Sequence, residues 1–128
     1  MNDTAKTMVM KGEFPLAFLQ KEWIDFLQSR GHRVEEPEDI MGVVVSESKK
    51  DNRFRWLLFT ARGLIKRLTP GEYQNLSKEV ERAKKAGQKP YVVVYFSVLE
   101  SKIVIKPAGR VLKTGRVGSV RGGIAWSG

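Results

Sequence analysis

The chain has 128 residues, with 23 Lys and Arg against 14 Asp and Glu, so its formal charge is +9 and its pI is near 10.0. That length suits one domain, and 41% hydrophobic with 29% charged residues is a globular rather than a disordered balance. With no Cys and a single His, disulfide scaffolds, thiolate zinc sites, cysteine nucleophiles and a histidine-rich metal site within one chain are excluded.

Residues 1–12 lack periodicity and read as a loose start, with Met8-Val9-Met10 giving way at once to Lys11-Gly12-Glu13 rather than to a signal-peptide core. Leu16, Leu19, Trp23, Phe26 and Leu27 then recur at helical spacing, with Pro15 at the start and Gly31 beyond the end, which predicts a helix of about four turns. His32-Arg33-Val34-Glu35 is a short extended piece, and His32 reads as surface. The β-branched stretch Ile40–Ser46 and the stretch Phe54–Thr60 predict two strands joined by a polar turn over Lys49–Arg53, a hairpin with Trp56 in the core. Thr69-Pro70-Gly71-Glu72 is a capping box with Pro at the first helical position, so a second helix follows, with Tyr73, Leu76, Val80 and Ala83 as its buried stripe and Lys78, Arg82, Lys84 and Lys85 on its solvent face. After Gly87, the apolar run Tyr91–Phe96 suits a strand buried on both faces, and Lys102–Lys106 predicts a last strand stopped by Pro107. This order predicts an α/β fold with a central mixed sheet flanked by helices. Residues 1–107 are expected to form one domain, and 108–128 a basic Gly-rich tail or extension in which Trp126 serves as a docking anchor.

The charge is unevenly spread. Residues 1–40 are net −3, residues 41–100 are +6, and residues 101–128 are +6 without a single acid. A polyanion is the partner this favours, since phosphate contact requires many cations within reach of one backbone rather than a sharp motif. The candidate contacts are Lys49, Lys50, Arg53 and Arg55 on the hairpin, Arg62, Lys66 and Arg67 after it, and Arg110, Lys113, Arg116 and Arg121 in the tail. No apolar run is long enough to span a bilayer and no basic amphipathic helix with an aromatic face is visible, so a membrane partner is not expected and the cytoplasm is the expected location.

The element order, with Glu38-Asp39-Ile40 opening the second strand, Glu72-Tyr73-Gln74 opening the second helix, and Lys89-Pro90 before Tyr91–Val94, resembles the archaeal Holliday junction resolvases over residues 11–106. The resemblance implies a restriction-endonuclease-like α-β-β-β-α-β core, DNA rather than RNA as the partner, and a homodimer. It also implies Mg²⁺ held by an Asp and by the Glu of a Glu-x-Lys on the next strand, with a further Glu on the first helix. Glu47-Ser48-Lys49 fits the triplet in letters, yet Glu47 lies roughly 26 Å along the same strand from Asp39 at about 3.3 Å per residue. If the hairpin turns at Lys50-Asp51, Asp39 faces Arg62 and the triplet is Thr60-Ala61-Arg62, a hydroxyl and a permanently charged guanidinium. The first-helix Glu falls near Gln20. Asp39, Thr60, Arg62 and Gln74 are thus vestigial candidates, and Asp39 is a metal ligand only if the protein is active. The sequence therefore favours a nucleic-acid-binding protein without catalysis and without a cofactor. One alternative is a Mg²⁺-dependent structure-specific endonuclease using Asp39 with Glu22, Glu36 or Glu38. Another is an RNA-processing or ribonucleoprotein subunit.

Overall fold

The computed structural model describes residues 16–36, 42–97 and 102–119, together with the backbone of a strand over residues 124–126. Among the described residues three helices and eight strands follow one another as α1 (Leu16–Ser29), β1 (Arg33–Val34), β2 (Val43–Glu47), β3 (Arg53–Ala61), β4 (Ile65–Arg67), α2 (Pro70–Lys85), β5 (Lys89–Phe96), β6 (Lys102–Pro107), α3 (Ala108–Thr114), β7 (Arg116–Gly118) and β8 (Ile124–Trp126). The main sheet has the order β1-β2-β3-β5-β6-β8, and β4 pairs with β7 as a separate two-stranded ribbon. All contacts in the main sheet are antiparallel except β3 with β5, which are parallel and joined through α2. The protein is α/β with a mixed sheet.

Alternation along β3 divides the core in two. Leu57 and Ala61 pack with Leu76 and Val80 of α2 and Val111 of α3 on one face. Trp56 and Leu58 pack with Leu19, Trp23 and Leu27 of α1 on the other. The α1 face is aromatic: Trp23 meets Trp56 edge-on at 5.4 Å, and Trp56 stacks on Phe54 at 5.2 Å and on Tyr91 at 5.3 Å. Such pairs add about 0.5–1.5 kcal/mol each beyond their buried area. Gln20 fixes α1 along the sheet, accepting from the Gly42 N–H (3.2 Å) and donating to the Val43 carbonyl (3.3 Å). Gly42 is required there because its φ is +90° and a Cβ would lie 3.1 Å from Leu16.

The hairpin register differs by one residue from the expected one. Val43 pairs with Leu57 and Glu47 with Arg53, and the Leu58 N–H donates to Gly42 at 2.7 Å in the same register. Symmetry about Lys50 replaces symmetry about Lys50-Asp51. The cause is in the turn, where Ser48 receives the Asp51 N–H (3.0 Å) and donates its own N–H to Asn52 (2.8 Å), with Asp51 in the left-handed region at φ 63°. This is a three-residue connection, which Asp tolerates better than most residues.

The second helix forms as its capping box requires: Glu72 N–H donates to Thr69 Oγ1 (3.1 Å) and Thr69 N–H to Glu72 Oε1 (2.9 Å). Tyr73 departs from the expected buried stripe; it is 39% exposed and reaches α3 through its hydroxyl, which donates to the Leu112 carbonyl at 2.7 Å. The residues set apart as a tail are part of the core as far as Ser119. Ala108, Val111 and Val117 are fully buried against the α2 face, and β8 extends the main sheet beside β6. No helix among the described residues is long and apolar enough to cross a membrane.

Candidate nucleic-acid interface

The basic residues separate to the two ends of β3, a strand of nine residues and so about 26 Å long. At its start, the hairpin turn exposes Lys49 and Lys50, but acids share that end. Arg33 pairs with Glu47 at 3.0 Å and lies 3.9 Å from Asp51. Arg53 donates to Glu35 (3.3 Å) and to the carbonyl of Ala86 (3.1 Å), the residue that ends α2. Arg53 is thereby a helix C-cap contact more than a free cation. Mixed charge makes this end a weak attractor for a polyanion.

Arg55, expected to be a nucleic-acid contact, points into the core. Its Nε donates to Glu79 Oε1 at 2.8 Å and its Nη1 to Gln88 Oε1 at 3.0 Å, while Glu79 Oε2 receives Arg82 at 2.8 Å. The Glu79 side chain is only 1% exposed and that of Arg55 16%. Both faces of β3 are covered, so an Arg on it must either leave the sheet or find a buried acid, and Arg55 does the second.

At the far end of β3, residues 62–64 form an exposed bend and the chain enters the β4–β7 ribbon. Ile65 pairs with Gly118, Lys66 with Val117 and Arg67 with Arg116. Residues directly opposed across a ladder share a face. Val117 and Lys66 therefore turn toward the core, where Lys66 pairs with Glu72 at 3.1 Å and lies 5.8 Å from the Phe59 ring. Ile65, Arg67 and Arg116 face outward and are exposed. Leu68 N–H donates to Gly115 (2.9 Å) and Ser119 N–H to Leu64 (3.0 Å), closing both ends of the ribbon. Gly115, at φ 70°, makes the sharp exit from α3 into β7. On α3, burial of Ala108 and Val111 turns Arg110 and Lys113, one helical turn apart, to solvent.

Arg67 and Arg116 thus oppose each other on the outer face of the ribbon, Arg110 and Lys113 are exposed on the helix that leads into it, and none of the four has an acidic partner among the described residues. Arg62, in the bend beside them, is exposed. Asp39, Glu38 and Arg121 lie outside the described residues, as do the side chains of β8, including Trp126.

A cleft of about 250 Å³ opens near this end, lined by Leu16, Val43, Thr60, Lys66, Glu72 and Asn75 among others. It holds Thr60 but not Arg62 or Gln74, which is exposed on α2. The observed register moves the triplet implied by the resemblance from Thr60-Ala61-Arg62 to Phe59-Thr60-Ala61, with no ionisable group at either end. Glu72 has one oxygen on Thr69 N–H and the other on Lys66. Gln20 uses both halves of its amide on the backbone of Gly42 and Val43 where β2 begins, and a carboxylate could not make the donor half of that clamp. Among the described residues no three Asp, Glu or His side chains gather closely enough to hold a metal ion. Glu22 and Glu36 are exposed elsewhere on α1 and after β1.

His32 is half-buried rather than a free surface group. Its Nδ1 lies 3.0 Å from the hydroxyl of buried Ser46, which also accepts from Trp56 Nε1 at 2.9 Å. With one hydroxyl lone pair taken by Trp56, Ser46 Oγ keeps a proton and a second lone pair for His32 Nδ1, and the imidazole tautomer sets which of the two donates. Burial lowers the His32 pKa below 6.5. The unfolded chain then takes up the proton first, so His32 contributes stability that is complete above pH 6.5 and is lost as the pH falls toward the lowered folded value. Urea midpoints measured from pH 8 to pH 5 should fall further for the wild type than for His32→Gln. Parallel pH profiles would show that the pair carries no linkage.

No protein-family model matches the sequence, and comparison with curated proteins returns no match.

Proposed function

We propose that this protein binds nucleic acid through its phosphate backbone, on a scaffold similar to that of the archaeal Holliday junction resolvases, and does not cleave it. The observation that carries the reading is the ribbon with the helix that leads into it: Arg67 opposite Arg116, and Arg110 and Lys113 on α3, are exposed without acidic partners among the described residues, while bases at the hairpin end are interleaved with Glu35, Glu47 and Asp51. Cations placed in this way neutralise phosphates and release their counterions. The scaffold is supported by the antiparallel β1-β2-β3 meander followed by α2 and a parallel β5. Lack of cleavage is supported by the neutral triplet on β3, by Gln20 in the place of a helix carboxylate, and by the occupied oxygens of Glu72.

Two to four phosphate contacts imply that log K falls against log salt with a slope between about −1.8 and −3.6. Anisotropy titrations of labelled duplex and four-way-junction DNA between about 50 and 300 mM salt measure it, and absence of binding at the lowest salt, or binding insensitive to salt, overturns the reading. Incubating the same substrates with Mg²⁺ or Mn²⁺ should yield no products. Cleavage that disappears in Asp39→Ala would establish the protein as a nuclease instead.

A further inference from the structure

We infer that the β4–β7 ribbon is a groove-reading element that enters the major groove of B-form duplex DNA, with α3 resting on the flanking phosphates. The inference rests on the nucleic-acid reading above and names the part of the molecule that makes the contact. Its first ground is shape. Two antiparallel strands stand about 4.8 Å apart, and the B-form major groove, about 12 Å wide, admits such a ribbon with its side chains. The major groove of A-form RNA is deep and narrow and does not.

The second ground is the chemistry of the outward face. Arg67 directly opposes Arg116, and a like-charge pair across a ladder is destabilising unless an anion lies between them. Beside them Leu64 is 58% exposed and Ile65 45%, two large apolar side chains left in water at the mouth of a basic patch. Guanine O6 and N7 are acceptors for a guanidinium fork, and the thymine methyl is an apolar contact, so the floor of a major groove offers partners to both kinds of side chain. A phosphate backbone alone would leave Leu64 and Ile65 unused. Arg110 and Lys113, one helical turn apart on α3 and next in the chain to β7, supply the positioning contacts.

The test uses the full chain with a 20-base-pair DNA duplex and an RNA duplex of the same sequence at about 0.1 M salt, read by anisotropy and by dimethyl sulfate reactivity of guanine N7, which lies in the major groove. The wild type should bind the DNA duplex more tightly than the RNA duplex and protect guanine N7. Arg67→Ala with Arg116→Ala should weaken DNA binding roughly 50-fold with little change in the salt slope, Arg110→Ala with Lys113→Ala should reduce the slope by about 2, and Lys49→Ala with Lys50→Ala should change affinity by less than about threefold. Arg67→Lys with Arg116→Lys should keep the slope yet lose N7 protection, because an ammonium lacks the fork. Leu64→Ser with Ile65→Ser should also lose protection. All these side chains are exposed, and circular dichroism of each variant confirms the fold. Failure of the wild type to bind either duplex overturns the nucleic-acid reading and this inference with it. Binding that is unchanged in the Arg67 and Arg116 variants, wild-type N7 reactivity equal to free DNA, or equal affinity for the RNA duplex overturns the groove inference and leaves the broader reading in place.

Discussion

Removal of residues 109–128 is expected to unfold the protein, not merely to weaken its hold on a ligand. The deletion takes Val111 and Val117, both fully buried, out of the cluster formed by Leu57, Leu76, Val92 and Phe96. Full burial of an aliphatic side chain is worth about 1.5–3 kcal/mol, and the cavity left behind adds to the loss. The same cut removes the Leu112 carbonyl that accepts from Tyr73, the Gly115 carbonyl that accepts from Leu68, and the strand that pairs with β4. Together these losses reach at least about 5 kcal/mol, a large part of the roughly 5–15 kcal/mol that holds an ordinary domain together. Thermal melts followed by circular dichroism should show no cooperative transition for the truncated chain. In contrast, Arg110→Ala with Lys113→Ala and Arg116→Ala should melt within a few degrees of the wild type, since these side chains are exposed. A truncated protein that melts like the full chain would show that α3 and β7 are dispensable for the core.

The sequence discloses those elements that carry their own punctuation. The α1 stripe from Leu16 to Leu27, the hairpin strands, the capping box at Thr69 and the apolar run of β5 each repeat a period or a cap long enough to read. The ribbon and α3 do not. A three-residue strand such as Ile65–Arg67 or Arg116–Gly118 is too short for a period of two to show. The seven residues of α3 begin after Pro107 without a side-chain cap and place single buried residues, Ala108 and Val111, among glycine and bases. Such a pattern has the composition of a basic tail, and only the long-range contacts with α2 make it a helix. The hairpin register depended on whether the turn holds two or three residues, which the left-handed Asp51 decides. That single residue moved the implied catalytic triplet along β3. Charge is legible in amount but not in location: Arg67, Arg110, Lys113 and Arg116 all stand among the candidate contacts the sequence offers, yet nothing in their spacing shows that β4 and β7 pair and bring Arg67 opposite Arg116. Glu79 could have been found, because it follows Leu76 by three residues and precedes Ala83 by four, and so lies on the buried stripe of α2.

Breaking the Glu79–Arg55 pair should therefore cost stability and not affinity. With Glu79 at 1% exposure and both of its oxygens held by guanidinium groups, removal of Arg55 leaves a buried carboxylate with only the partly exposed Arg82, and removal of Glu79 leaves the Arg55 guanidinium with the neutral Gln88 as its remaining partner. Loss of one partner of a buried ion pair costs about 3–5 kcal/mol. Arg55→Ala and Glu79→Ala should each lower the urea midpoint by that equivalent at pH 7. Arg55→Met combined with Glu79→Leu should recover most of the loss, because apolar side chains of similar volume remove both desolvation costs together. At temperatures where each variant remains folded, its affinity for duplex DNA should match the wild type, since the pair lies between α2 and the sheet and away from the ribbon. Arg55→Ala with an unchanged midpoint but a weakened complex would return Arg55 to the binding surface and make the hairpin, rather than the ribbon, the phosphate contact.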